Sequence, residues 1–424
     1  MKKQTPSTIL CVLVLLILFV GGGSILWGVF GPEEPLAAAE PGPDWRQLYP
    51  FEGESSQAEA PQEETPQETE TDSTYLATVT AWQSKLDGGR EELLGRQKLL
   101  ELCGVFRRAT HQTKTEEIVL LNNGFLTTLV PRTAEETARS IAQSVIRLSE
   151  NTKAKGIPVL YVQEPQKVCQ YEDQMPPGEY SDINANLDEH LKLLQAGDVD
   201  TFDLRQALHQ DGLSHYDLFF RTDHHWKMSS GRWAAARIAE ELNQRFDMGL
   251  DTSLLGEEGY QETTYESWYL GAQGRRVTRG YISPDDFTYL TPAFPTSFRV
   301  EHPDKGIDVT GSFAQVMFDW DMMETYDLYG QSTYEAVLCG NRPLTRITNL
   351  DRPDGKKILL IHDSYATVIA PFLALTCQEL DLIDVREANG NFDGNLNAYI
   401  DAFDPDLVLF SFCSPVNIDR SETG

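Results

Sequence analysis

Apolar residues along the chain fall into three regimes. The first is one long run from about Ile9 to Phe30, preceded by Lys2 and Lys3. A run of that length can cross a hydrocarbon core as a helix. The basic residues before it favour an N-terminus that stays inside. Residues 1–31 are therefore predicted to be a signal-anchor transmembrane helix. Cleavage as a signal peptide near Ala37-Ala38-Ala39 is the alternative. Both readings put the rest of the chain outside the cytoplasmic membrane. The second regime, residues 32–75, is rich in Pro, Glu, Gln, Ser and Thr. It has too little apolar surface to offset chain entropy, so it is predicted to be a disordered acidic stalk.

The third regime, residues 76–424, alternates helical periods with short apolar runs. Residues 77–103 carry a helical pattern, and a short strand is predicted at Ile118–Leu121. Thr133 with Glu136 makes a capping-box pattern, followed by Ala138, Ile141, Val145 and Leu148 at helical spacing. Gly156 ends that helix, and Ile157–Val162 reads as a buried strand. Asn184–Gln195 is a predicted helix, Val199–Leu204 a strand and Ser230–Leu242 an amphipathic helix. The C-terminal third repeats the alternation: strand Lys357–Ile361, helix Ala366–Leu380, strand Leu382–Val385, helix Leu396–Phe403, strand Leu407–Phe412. Apolar strands alternating with helices predict a parallel sheet covered on both faces. Right-handed crossovers would make it a three-layer α/β domain. Residues 250–350 break the rhythm and read as an irregular insertion of strands and loops that helps form a cleft.

Charge narrows the partners. The 424 residues carry a net charge of −30, and residues 33–72 supply −11 of it, from twelve acidic residues and one Arg. The remainder is still acidic, which argues against a nucleic-acid partner. Six Cys are present. Cys11 lies in the apolar run, and the other five show no CxxC spacing, so neither a disulfide framework nor a zinc site is predicted. Buried free thiols acting as small hydrophobes are the reading of those five.

Two segments stand out chemically: Arg221-Thr222-Asp223-His224-His225-Trp226 and Leu360-Ile361-His362-Asp363-Ser364-Tyr365. Ser364 lies between an apolar strand and a helix, and strand ends of a parallel sheet open onto the ligand crevice. A Ser there has backbone N–H groups beside it that can hold an oxyanion. From this segment alone, simple helix capping by Ser364 or Asp363 is the preferred reading. A serine nucleophile needs an adjacent base, and a histidine base needs a carboxylate on its other ring nitrogen. Asp223 and His225, two apart on a loop, can supply both. A helix start with surface histidines is one alternative. A metal site on Asp223, His224 and His225 is another, disfavoured because neighbouring side chains on a short loop do not easily face one ion. No cofactor is predicted. Trp226 is read as core. Tyr260, Tyr265, Trp268 and Tyr269 are read as packing residues, with stacking on sugars as the alternative.

Thr222-Asp223-His224-His225-Trp226 resembles the signature of the bacterial DHHW proteins, which are similar to the periplasmic enzymes of alginate O-acetylation, within the SGNH-hydrolase-like folds. The resemblance spans roughly residues 104–415. It implies an SGNH-hydrolase-like domain in which Asp223 orients His225, His225 is general base and Ser364 attacks an acyl carbonyl. Arg386 and Tyr365 are the implied oxyanion or substrate contacts, with an ion pair as the alternative for Arg386. The implied activity is acyl transfer, as an O-acetyltransferase or acetylesterase, on a cell-envelope or exported polysaccharide. A membrane-bound acyltransferase is the implied partner. Two departures point to the alternative of a non-catalytic module that binds polysaccharide or scaffolds an assembly. His362 stands where many relatives carry Gly, and Ser411-Phe412-Cys413-Ser414 stands where relatives often show Tyr-Asn.

Overall fold

Four apolar runs of the chain become the middle of an eight-stranded sheet. The computed structural model describes residues 96–415 except 116, 325, 331 and 388–395. The predicted membrane-crossing run, the stalk and residues 77–95 lie outside the described residues. Among the described residues no helix is long and apolar enough to cross a membrane. They fall into two units, 96–111 and 112–415. The first is the helix α1 (Arg96–Ala109), whose Leu102, Val105 and Phe106 are exposed.

In the second unit, a small antiparallel sheet of β1 (Lys114–Thr115), β2 (Ile118–Leu120) and β3 (Leu126–Thr128) precedes the helix α2 (Glu135–Lys153). The main sheet then begins with β4 (Val159–Gln163), α3 (Ile183–Ala196) and β5 (Asp200–Asp203). After α4 (Met228–Phe246) come a hairpin of β6 (Tyr260–Tyr269) and β7 (Asp285–Pro292), then β8 (Phe298–His302), β9 (Ile307–Gly311) and β10 (Thr345–Asn349). The last elements are β11 (Lys357–His362), β12 (Glu379–Asp384), α5 (Leu396–Phe403) and β13 (Leu407–Phe412). Spatial order is β5-β4-β13-β11-β12-β10-β8-β9.

The first five strands in that order are parallel, as the apolar runs predict. The last three are antiparallel, so the sheet is mixed rather than purely parallel. All three come from residues 250–350, which pair with the β12 edge that would otherwise leave backbone groups unbonded. The parallel strands alternate their side chains between two cores. Leu160, Val162, Leu360 and Leu409 pack on one face with Ala235, Ile238 and Leu242 of α4. Val159, Tyr161, Leu359 and Phe410 pack on the other with Ile141 and Val145 of α2, Leu194 of α3 and Ile400 of α5. Burial on both faces is why these strands read as unbroken apolar runs.

Two local expectations fail. The capping box at Thr133 and Glu136 does not form: α2 starts from Ala134 with no side-chain cap. Asn186 of α3 intervenes, accepting from the Thr133 N–H at 3.0 Å and donating to Pro131 O at 2.9 Å. The predicted helix 366–380 is instead a 3-10 turn, Ser364–Val368, and a single helical turn, Ala370–Leu373. Pro371 has no N–H to give to a helix arriving from Ser364, so the run breaks.

α4 crosses directly over that 3-10 turn. A methyl group at Gly231 would overlap the Val368 carbonyl. Gly231→Ala is expected to cost about 1–3 kcal/mol through overpacking, seen as a lower urea midpoint by Trp fluorescence. An unchanged midpoint would show that the two segments are not pressed together.

Candidate active site

The loop 219–226 leads into α4. Phe219 and Trp226 form a bridge across it, and the Lys227 N–H donates to Leu218 O at 2.8 Å. Asp285 of β7 anchors the next residue, accepting from both the Thr222 N–H at 2.8 Å and the Thr222 hydroxyl at 2.7 Å. The Asp223 side chain is thereby turned inward and is almost wholly buried.

Asp223 Oδ1 accepts from the His225 N–H at 2.8 Å and from His225 Nδ1 at 2.6 Å. Its Oδ2 accepts from the Ala272 N–H at 2.5 Å. The Lys167 ammonium donates to the Asp223 backbone carbonyl. Burial opposes ionisation of Asp223. The adjacent imidazoles of His224 and His225, with the hydrogen bonds of His225, outweigh it and hold the carboxyl well below the usual carboxylate range. An ionised carboxylate only accepts, so the proton on Nδ1 belongs to His225. That leaves Nε2 as acceptor, and Ser364 Oγ lies 2.8 Å from it. One hydroxyl, one imidazole and one carboxylate thus form a continuous hydrogen-bonded chain.

Asp363 fixes the turn that carries Ser364. Its Oδ1 accepts from the Tyr365 N–H at 3.1 Å and its Oδ2 from the Cys413 N–H at 3.0 Å. The Ser364 N–H has no acceptor among the described residues. Tyr365 is fully buried, its N–H donating to Asp363 and its hydroxyl to His224 O. It packs beside His225 rather than reaching into the open side of the site. Arg386 is held by Asp384 in a two-point ion pair of 2.9 and 2.6 Å. His362 is buried beneath the turn, with Nδ1 2.7 Å from Asp363 O, and burial pushes its pKa down.

Sequence reasoning missed Tyr334. This residue of the Thr333–Ala336 turn stacks its ring on His225 at 4.0 Å and 14°. Its hydroxyl donates to Ser364 O at 3.0 Å. It touches both partners of the hydrogen bond between them. No local motif marks it; the only signal is a Tyr-rich insertion. Of the aromatic residues that did stand out, Tyr265 and Tyr269 are buried and Tyr260 and Trp268 partly buried against the core; Tyr269 lies beside Asp223, and burial with that carboxylate pushes its pKa up. Asp223, His224 and His225 bring one ligand atom each within 4.8 Å of one another, closer than the loop argument allows. A cation there would compete with the His225 Nδ1 proton for the same carboxylate.

Comparison with known proteins defines the class. Residues 125–268 match the family described as the SGNH hydrolase-like domain of acetyltransferase AlgX. That stretch holds Asp223 and His225 and ends before Ser364. No curated protein matches the chain in sequence. Among solved structures, Bacillus cereus PatB1 with a sulfonyl adduct is 19% identical, with a TM-score of 0.59 over 73% of this chain and 99% of that one. A DHHW family protein from Eubacterium siraeum is 18% identical, with a TM-score of 0.57 over 73% of this chain and 96% of that one. The described domain therefore has the SGNH-hydrolase-like α/β fold. Within that class it resembles the AlgX-type domain in sequence, and PatB1 and the DHHW protein in architecture.

Asp223 titrates lower in the folded chain than in the unfolded one. Its ionisation therefore stabilises the fold above the unfolded value of about 4, and that contribution is lost as pH falls through the folded value. Asp223→Asn is expected to lower stability most at pH 7, with the gap to wild type narrowing below about pH 4. Urea unfolding at several pH values checks this, and a gap independent of pH would contradict it.

Proposed function

We propose that the protein is an extracytoplasmic serine acyl-transfer enzyme, an O-acetyltransferase or acetylesterase acting on a cell-envelope or exported polysaccharide. The observation that carries this reading is the Asp223–His225–Ser364 chain, closed at 2.6 and 2.8 Å.

Ser364 Oγ would attack the carbonyl carbon of the acyl donor while His225 Nε2 takes its proton. The carbonyl electron pair moves to oxygen, where the Ser364 N–H would be the candidate donor to it. Collapse of that intermediate breaks the bond to the leaving oxygen, which receives the proton from His225. An acyl-Ser364 remains. A sugar hydroxyl or water then attacks it, giving its proton to His225, and Ser364 is released. Asp223 keeps the imidazole in the required tautomer and stabilises its charged form. Tyr334 would hold ring and turn in register, since it contacts both. Arg386 and Tyr365 have no direct step here: one is paired with Asp384 and the other is buried.

The match of residues 125–268 to an acetyltransferase family supports acetyl as the transferred group. The apolar run at 9–30 would hold the chain on the membrane, and residues 32–75 would carry the domain away from it. A membrane-bound acyltransferase that supplies acyl groups is the partner suggested by the DHHW resemblance.

Turnover of p-nitrophenyl acetate is expected to vanish in Ser364→Ala and to fall by about 10²–10⁴-fold in Asp223→Asn. Phenylmethylsulfonyl fluoride is expected to add one sulfonyl group to Ser364 of the wild-type chain, read by peptide mass spectrometry. Undiminished turnover by Ser364→Ala would sink the proposal in favour of a binding module.

A further inference from the structure

At the end of the sheet that carries Ser364, on the face covered by α2 and α3, lies a cavity of about 470 Å³. That volume falls within the range of small-ligand sites, about 300–1,000 Å³. Ala138 and Ile141 of α2, His190 of α3 and Pro415 beyond β13 line it, with the exposed Arg132 and the half-buried Glu189.

His190 is the informative residue. It is 1% exposed, and neither ring nitrogen has a hydrogen-bond partner among the described residues. Burial pushes its pKa down to about 4, so the ring is neutral at pH 7. A neutral imidazole offers one N–H donor and one lone pair. Its edge meets Tyr161 at 5.2 Å and 60°, and the buried Tyr161 hydroxyl also lacks a partner among the described residues. A buried polar group left unmet is costly, so a polar species in the cavity must face the His190 ring that lines it. Water can do this. A saccharide fits more of the lining. Each hydroxyl both donates and accepts, matching an imidazole that offers one of each. The C–H face of a sugar ring matches Ala138, Ile141 and Pro415. An anion fits poorly, because Glu135 and Glu189 outnumber Arg132.

The position is equally specific. Pro415 follows two residues after Cys413, whose N–H is bound to Asp363 Oδ2 at 3.0 Å, and Asp363 precedes Ser364. The cavity and the triad therefore share one end of the sheet. We infer that the cavity is a subsite for one neutral sugar residue of the glycan on which Ser364 acts, an inference that rests on the acyl-transfer reading above.

The full chain carrying Ser364→Ala is titrated with a panel of neutral oligosaccharides, including tetra-N-acetylchitotetraose, cellotetraose and mannotetraose. Binding is followed by calorimetry and by the ¹⁵N signals of labelled histidine. At least one is expected to bind and to shift the His190 ring signals. Binding should weaken by about tenfold or more in His190→Phe, which keeps a ring beside Tyr161 but removes both nitrogens. Ala138→Phe, which fills the cavity from α2 and leaves the His190 nitrogens in place, should do the same. Unmoved His190 signals across the panel mean water only and overturn the subsite. So does binding that survives both substitutions. Ester turnover by Ser364 is scored separately on the wild-type chain. Its loss beside His190-dependent binding removes the enzyme reading and keeps the sugar site; its presence beside unmoved His190 signals does the reverse.

Discussion

A seam of hydrogen bonds locks together two stretches of chain 139 residues apart, and the site exists only while it holds. Besides the Ser364–His225 contact, Trp226 Nε1 donates to Tyr365 O at 2.9 Å, and the Tyr365 hydroxyl donates to His224 O. Trp226 and Tyr365 are both fully buried. Water cannot replace these bonds, so losing one leaves an unmet group in low dielectric, which costs more than the bond contributes when made. The loop and the turn are therefore held in one register. The hydroxyl meets the imidazole because the backbone beneath them is already locked.

Polar contacts made beneath that loop allow it to be buried at all. Thr222 is held by Asp285, the Asp223 carbonyl by Lys167, and the Asp223 carboxylate by Ala272 and His225. Burial lowers the Lys167 pKa to about 7, against the pull of Asp223 and Asp285. On the far side of Ser364, burial and nearby Asp363 push Glu164 well above its usual range, while the Ser411 hydroxyl donates to it at 2.7 Å. A protonated Glu164 spares Asp363 a second negative charge beside it. The site thus combines a carboxylate kept ionised by imidazoles and hydrogen bonds with another kept neutral by burial.

Residues 250–350 do more than decorate the domain. They extend the sheet with β8, β9 and β10, so the β12 edge is covered. They also deliver Asp285, Ala272 and Tyr334 to the loop and turn. Gly271 is needed for that approach, since a methyl there would overlap the Asp223 side chain. A segment with no clean periodicity therefore builds one wall of the site.

Residue pattern was enough to mark the parallel core and the polar groups of the candidate site. Strands β4, β11 and β13 were legible because burial on both faces demands unbroken apolar runs, and α2, α3 and α4 because one buried face imposes a helical period. Asp223 and His225 were legible because two residues on one loop carry their geometry locally. The remaining features arise from packing between distant parts of the chain. The antiparallel strands lie partly exposed, so their pattern is weak. Pro371 broke a helix whose apolar composition suited burial in any conformation. Tyr334 reaches His225, and Asn186 displaces a local cap, through contacts between residues distant in the chain. Their partners are set by packing, which no short stretch of residues encodes.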